Sequence, residues 1–288
     1  MVNNMDDSET LRVAIQGIAG SFHDQAAREY FNGKNLELIP CLSFEDLFDQ
    51  VAGGTADAAA MAIENSVAGS LLPNYALLRA SGFTIFGEIF LRISQHLMAL
   101  PGQQLSEIRE VYSHYMAIEQ TRPFFKDHHH IRLIESEDTA ASARWVASEG
   151  LKGMAAIAGE RAARMYGLEI LARGIETNKR NFTRFLFLYK SNGTARFHIE
   201  EPDKASLSFS LPHKTGSLSH VLSIFSFYGI NLTKIQSIPI IGREWEYHFL
   251  IDLTFEDHVR YRQALEAIRP LTHELTILGE YLKGRHIE

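Results

Sequence analysis

The sequence predicts an α/β chain of two lobes followed by a smaller α+β module. Three observations predict it. Strands and helices alternate from residue 11 to about residue 190, a rhythm that implies parallel sheets with crossover helices. The turn-rich Ser191-Asn192-Gly193-Thr194 then breaks the pattern. Beyond Asp203 the apolar spacing changes to a β-α-β-β-α-β order, the ferredoxin-like arrangement.

Leu11–Gln16 alternates apolar and polar residues and reads as a strand. It runs into the glycine loop Gly17-Ile18-Ala19-Gly20, and Ser21 is placed to cap a helix through Phe31. Leu36–Pro40 is a short strand. Ser43 caps a helix carrying Phe44, Leu47, Phe48 and Val51 on one face. Ala58–Ile63, small and apolar, suits a buried strand and ends at Glu64-Asn65-Ser66. Phe83–Leu100 reads as strands leaving the first lobe for the second. There Val111–Tyr112, Ile131–Glu135 and Ala155–Ala158 are strands, alternating with helices over Ala117–Phe125, Thr139–Glu149 and Arg161–Tyr166. Phe185–Tyr189 is an apolar strand expected to return to the first lobe. The first lobe is thus about 11–93 with 176–192, and the second about 94–175. Ligand is expected at the carboxyl ends of the strands, between the lobes.

The last module spans 203–286. Leu207, Phe209 and Leu211 alternate; Leu218, Val221, Leu222 and Phe225 have helical spacing. Ile230–Ile238 is a strand, and the alternation of Trp245, Tyr247, Phe249, Ile251 and Leu253 gives another. Asp257–Ile268 is a helix and Leu275–Tyr281 the last strand.

Composition bounds the function. The 288 residues are 45% hydrophobic and 22% charged, ordinary for a globular protein. The net charge of −7, with no Lys/Arg block, argues against a nucleic-acid partner. One cysteine, Cys41, fits a reducing compartment and reads as a small core residue. Met1–Thr10 is polar and acidic, unlike a signal peptide, and no apolar run approaches the ~20 residues of a membrane span. A cytoplasmic protein with no membrane partner is expected.

Several loops carry groups with chemistry. Gly17–Phe22 offers amides and the Ser21 hydroxyl at a helix start, either an anion site or a plain capped turn. Asn65 and Ser66 follow a strand directly and suit a carboxylate or a turn equally. Asn181-Phe182-Thr183-Arg184-Phe185 puts a hydroxyl, a guanidinium and aromatics at a strand start. Thr139 is either a ligand group or a helix cap. Asp127-His128-His129-His130 does not converge ligands as His-x-x-x-His does, so no metal site is expected.

Together these segments resemble the prephenate dehydratase family, in the same order and over almost the whole chain. Gly17-Ile18-Ala19-Gly20-Ser21-Phe22 is similar to its Gly-Pro-x-Gly-Thr/Ser-Phe loop, and Ala62 to Gly69 to its Pro-Ile-Glu-Asn-Ser-x-x-Gly segment. Val111-Tyr112-Ser113-His114, then Ala155–Ala158 with the helix through Leu168, also fit. Asn181-Phe182-Thr183-Arg184-Phe185 matches its Asn-x-Thr-Arg-Phe signature. Ile18 and Ala62 replace prolines, and Tyr115-Met116 replaces Pro-Gln.

The resemblance implies two periplasmic-binding-protein-like lobes (11–192) and a C-terminal ACT domain. It implies decarboxylating dehydration of prephenate to phenylpyruvate, without cofactor or metal. Thr183 is then the catalytic donor. Ser21, Asn65, Ser66 and Thr139 hold the substrate carboxylates; Arg184 orients the signature loop or supplies positive potential; Phe185 packs on the ring. The ACT domain implies a homodimer or homotetramer and L-phenylalanine as effector, at Gly216, Ser217, Leu218, Gln236 and Ser237. Gln236-Ser237-Ile238-Pro239 stands where the family has Glu-Ser-Arg-Pro. Arogenate dehydratase and a non-catalytic amino-acid-binding regulator are the alternatives; the intact Thr183-Arg184-Phe185 favours an enzyme. With about ten residues before the first strand, a fused chorismate mutase domain is not expected.

Overall fold

The structure is a computed structural model that describes residues 10–190, 197 and 199–288. The break at Ser191–Thr194 lies outside the described residues. Contacts divide the chain into two compact units. One holds Thr10–Leu71, Ile89–Phe185 and His286–Glu288; the other holds Leu72–Glu88 and the described part of Leu186–Arg285.

From residue 11 the order is β1 (Leu11–Gln16), α1 (Phe22–Tyr30), β2 (Leu36–Cys41), α2 (Phe44–Ala52), β3 (Ala58–Asn65), β4 (Gly69–Ser70), α3 (Leu72–Ser81) and β5 (Thr84–Arg92); Leu72–Glu88, expected in the first lobe, group instead with the unit of the C-terminal module. β1 pairs in parallel with both β2 and β3. The second lobe holds β6 (His96–Ala99), β7 (Glu110–His114), α4 (Tyr115–Thr121), β8 (Arg132–Ser136), α5 (Thr139–Ser148), β9 (Met154–Ala158), α6 (Glu160–Tyr166) and β10 (Glu169–Ala172). Its sheet order is β10-β6-β9-β7-β8. β11 (Phe182–Tyr189) returns, as the sequence predicts, and lies between β5 and β3 in the first sheet. Its interior is buried on both faces, which is why it reads as a continuous apolar run.

Helix starts follow side-chain caps. Ser21 accepts from the Asp24 amide to start α1. Ser43 and Asp46 form a capping box on α2, whose Leu47, Phe48 and Val51 are buried. At α5 the cap is Asp138, which accepts from the Ala141 amide; Thr139 is the first helical residue, not the cap.

The C-terminal module contains β12 (Lys204–Ser210), α7 (Ser217–Phe227), β13 (Asn231–Pro239), β14 (Tyr247–Thr254), α8 (His258–Ile268) and β15 (His273–Tyr281), in the sheet order β13-β14-β12-β15. Trp245 does not belong to the predicted strand: it sits at φ 63° in the turn, and β14 begins at Tyr247. Leu207, Phe209, Ile251 and Leu253 pack on Val221, Phe225, Tyr261 and Leu265 of the helices. The other sheet face is polar yet buried, with Ser206, Ser208, Ser210, His248 and Asp252. Ser206 Oγ donates to Asp252 at 2.5 Å, and it shares a 2.6 Å hydrogen bond with the Tyr281 hydroxyl. The same compact unit includes α3, where Lys234 lies over the Tyr75 ring. His286–Ile287 leave the module and add to β5 as β16, with the His286 ring stacked on Phe90.

Candidate active site

A cleft of about 230 Å³ lies within the first unit. Strand ends of both lobes build it. Gln16 and the α1 start follow β1, Asn65 ends β3, His114 ends β7, Asp138 and Thr139 follow β8, and Thr183 and Phe185 stand on β11. Parallel strands bring their carboxyl ends and the helix starts behind them to one edge, so side chains from distant segments converge there.

The centre of the site is an amide chain ending on a hydroxyl. Asn65 Oδ1 accepts from the amides of Val67 and Ala68 at 2.9 and 2.8 Å. Those bonds fix which end of the Asn65 amide faces the other way. Its Nδ2 donates to Thr183 Oγ1 at 3.0 Å and to Asn181 Oδ1 at 2.7 Å. Asn181 Nδ2 in turn donates to Gln120 Oε1 on α4, at 3.0 Å. Because Thr183 Oγ1 accepts from Asn65, the hydroxyl proton is left to donate elsewhere. Thr183 is nearly buried, so a bond it makes to a ligand is worth more than in water.

Strand alternation separates the next two residues. Phe185 shares the face of Thr183, lines the cleft and meets the His23 ring edge-on at 4.9 Å. Arg184 takes the opposite face: it is buried, with its guanidinium 6.0 Å from the Phe90 ring, and it does not line the cleft. Ser66 is likewise outside the lining. Its hydroxyl donates to the Arg180 carbonyl and accepts from the Phe182 amide, which pins the start of β11.

Ser21 and Thr139 do line the cleft. The glycine loop before Ser21 is not an open amide cradle, however. The Gly17 amide donates to Cys41 O, Ser21 to Ile18 O, and Gly20 to Asp24 Oδ2 at 2.7 Å. Asp24 is fully buried and is held by Arg28 and Arg161. What the loop offers a ligand is therefore the Ser21 hydroxyl and the start of α1. Cys41 is buried, and burial together with Asp46 pushes its thiol up to about 11, as suits a core residue.

Several polar lining residues are absent from the sequence-predicted set, among them His23, His114, Gln120 and Asp138. Burial lowers the His23 imidazole to about 4, and its Nε2 accepts from the Ala62 amide at 3.3 Å, so the ring is neutral. Burial also lowers His114, against the pull of Asp138 and Glu135. Burial raises the Asp138 carboxyl, opposed by the Ala141 and Ala140 amides, His114 and Arg144. The available signals were positional: His23 follows the Ser21 cap by two residues, and Asp138 directly precedes the helix it starts.

In the C-terminal module, Gly216 precedes α7 at φ 82°, followed by Ser217 and Leu218. Ser237 pairs with Phe249 and faces the helices, whereas Gln236 pairs with Leu250 and faces the other way. Consecutive strand residues diverge, so Gln236 does not share the helix-side face with Ser237 and α7.

The prephenate dehydratase family profile matches residues 13–193, and the ACT domain profile matches 205–271. Arogenate dehydratase 1 of Petunia hybrida is 37% identical over 94% of this chain and 67% of its own length. Among solved structures, prephenate dehydratase of Arthrobacter aurescens in complex with L-Phe superposes with a TM-score of 0.83 at 28% identity, over 95% of this chain and 90% of that one. A protein described as GqqA, a novel type of quorum quenching acylase, also reaches 0.83, at 30% identity over 94% and 97%. Two domain profiles in order over one chain, a relative above 30% identity along nearly all of it, and the Thr183 cleft agree: the chain belongs to the prephenate dehydratase family.

Proposed function

We propose that the cleft converts prephenate to phenylpyruvate, water and carbon dioxide. As the ring carboxylate leaves, its electrons expel the ring hydroxyl and the ring becomes aromatic. The obstacle is the poor leaving group. A donor that meets this oxygen mainly in the transition state lowers the barrier. The observation that carries the reading is the Asn65 bond to Thr183, which leaves the Thr183 proton free to donate. The departing hydroxide takes up one proton, so one is consumed per turnover. Phe185 packs on the ring. Ser21, Thr139 and the starts of α1 and α5 receive the carboxylates. Arg184 and Ser66 act through the strand that carries Thr183 rather than on the substrate.

The acylase likeness leads elsewhere less well. A nucleophilic hydroxyl needs a base to take its proton, whereas Asn65 gives Thr183 a donor.

The ACT domain makes the protein a homodimer or homotetramer and a sensor of L-phenylalanine, which acts by preferring one arrangement of the enzyme. Support comes from β13, an edge strand in the described sheet with alternate residues exposed, and from Phe227, 82% exposed at the end of α7. Ser217, Leu218 and Ser237 form the helix-side part of that effector site. No helix among the described residues is long and apolar enough to cross a membrane; the reducing cytoplasm is the compartment proposed.

Incubation of the purified protein with prephenate, followed by phenylpyruvate absorbance, tests the activity. Thr183→Ala should lower turnover far more than affinity; unchanged turnover would remove Thr183 from the mechanism. Calorimetry with L-phenylalanine tests the effector, and light scattering the assembly.

A further inference from the structure

We propose that Gln95 is a substrate-binding residue whose carboxamide donates to the side-chain carboxylate of prephenate. The inference rests on the dehydratase reading and adds to it the group that holds the unreacting end of the substrate.

Gln95 stands between β5 and β6, where the chain leaves the first lobe, and it lines the cleft. It is 3% exposed. Its backbone is engaged on both sides. The amide donates to Glu176 Oε2 at 2.8 Å, and the carbonyl accepts from the Ile175 amide at 2.8 Å. The side chain is not engaged. Oε1 is sealed from solvent without a hydrogen bond, and Nε2 has no partner among the described residues. A buried polar group of this kind costs stability unless something supplies the missing bond. With neither end held, the carboxamide can turn its N–H end to an anion.

Charge makes such a donor necessary. No Lys or Arg lines the cleft among the described residues, and Glu137 and Asp138 do. Burial favours the neutral form of the lining imidazoles of His23 and His114. A substrate with two carboxylates is therefore held by neutral donors. A donor already stripped of water by the fold gives up no hydration when it binds.

Position and chemistry select which carboxylate. The Ile93 amide donates to Asn181 O at 2.7 Å, where β5 ends and β11 begins. Thr183 lies beyond Asn181 on β11, whereas Gln95 lies past Ile93, bonded to Ile175 and Glu176. The two side chains thus enter the cleft on opposite sides of that bond. Prephenate carries its hydroxyl and its side chain at opposite ends of the ring, so a hydroxyl on Thr183 sends the side chain toward Gln95. The ring carboxylate shares that end, but it loses its charge in the reaction. A donor on it would favour the ground state over the transition state. The side-chain carboxylate keeps its charge throughout. Gln95 on that group binds substrate, transition state and product alike, which sets KM and leaves kcat unchanged.

Gln95→Met removes both polar ends at similar length, and Gln95→Glu puts a negative charge in their place. KM and kcat are measured with prephenate, and the affinity for phenylpyruvate by calorimetry, with thermal unfolding to verify the fold. Phenylpyruvate keeps the side-chain carboxylate and has lost the ring one. We expect Gln95→Met to raise KM about tenfold to a hundredfold, the range of one hydrogen bond to a charged group. Phenylpyruvate affinity should fall by the same factor, and kcat should stay near the wild-type value. Gln95→Glu should weaken both ligands further, and it gives the same comparison if the Met variant does not fold. Unchanged KM and product affinity overturn the proposal. So does a raised KM with phenylpyruvate affinity intact, which would put Gln95 on the ring carboxylate. A fall in kcat at unchanged KM overturns it as well. A wild type that leaves prephenate untouched overturns the dehydratase reading, and this inference with it; that outcome alone touches both.

Discussion

Asn65 Nδ2 lies 3.0 Å from Thr183 Oγ1, across 118 residues of chain. The bond aims the hydroxyl proton away from Asn65, and two backbone amides on Asn65 Oδ1 hold the side chain in that sense. Asn65→Asp keeps the shape and both backbone bonds but can only accept from Thr183, so the hydroxyl proton turns inward. Turnover with prephenate should fall about a hundredfold, as for loss of one preorganised donor. Asn65→Leu should fall as far. Steady-state kinetics on both variants checks this; an Asp variant with wild-type kcat would show that the direction of the bond does not matter.

Within the unit that holds the ACT domain, Lys204 Nζ meets Glu88 Oε1 at 2.7 Å, and both side chains are buried. Glu88 Oε1 also accepts from the Gly284 amide at 3.0 Å. Removing either side chain takes a charged hydrogen bond out of a buried site. Lys204→Met should cost about 3–5 kcal/mol of unfolding free energy. The double variant with Glu88→Met should cost less than the sum of the two single variants, because the two side chains interact directly. Urea unfolding of the two single variants and the double reads the cycle directly.

Much of this architecture is legible in the sequence, because short-range physics writes it there. Ser21 and Ser43 sit where caps belong, and Leu47, Phe48 and Val51 keep helical spacing. The β-α-β-β-α-β order is plain from the change of period. What fails is what long-range contact decides. The bond from Asn65 to Thr183, and the reach of Gln120 from α4 to Asn181, have no local signature. Arg184 reads as a ligand group because its type suits a carboxylate, yet a strand sends neighbours to opposite faces, and Thr183 and Phe185 take the cleft. The same alternation parts Gln236 from Ser237. α3 goes unread because Leu72–Ser81 has only a weak apolar stripe, and His286–Ile287 join β5 by a partner some two hundred residues away. Burial on both faces of β12 is equally hidden, since its Ser206, Ser208 and Ser210 look like a solvated edge.

His23 sets part of the pH dependence of stability. Its imidazole titrates at about 4 in the folded chain against an ordinary 6.5. Between those values the unfolded chain binds the proton and the folded one does not. The contribution is therefore complete above pH 6.5 and is lost as pH falls toward 4. By pH 5 the loss is about 2 kcal/mol at 1.36 kcal/mol per unit. His23→Gln can still accept from the Ala62 amide but does not titrate. The stability of the wild type relative to this variant should fall by that amount between pH 7 and pH 5, measured by urea unfolding at each. A difference independent of pH would mean that His23 titrates normally.

Gly279 on β15 has no backbone strain to explain it, and close approach does. An added Cβ would stand 2.1 Å from the carbonyl oxygen of Ile85 and 2.8 Å from its carbonyl carbon, in the same compact unit. Gly284 meets the backbone of Glu88 in the same way, with its Cβ position 2.7 Å from Glu88 O. The two glycines let one stretch of main chain lie directly against another, and backbone cannot rotate aside as a side chain would. Just before Gly279 the ladder with β12 shifts register between Ser206 and Leu207, so β15 is already displaced from ideal pairing there. Gly279→Ala should thus cost about 3 kcal/mol, at the upper end of overpacking, although Ala is the smallest possible addition. Gly242→Ala is the control: its surroundings are open, and its φ of 80° makes it the more strained position by backbone conformation alone. If Gly279→Ala unfolds at the wild-type urea concentration while Gly242→Ala unfolds earlier, conformation rather than contact governs these glycines, and the close packing of β15 on Ile85 is wrong.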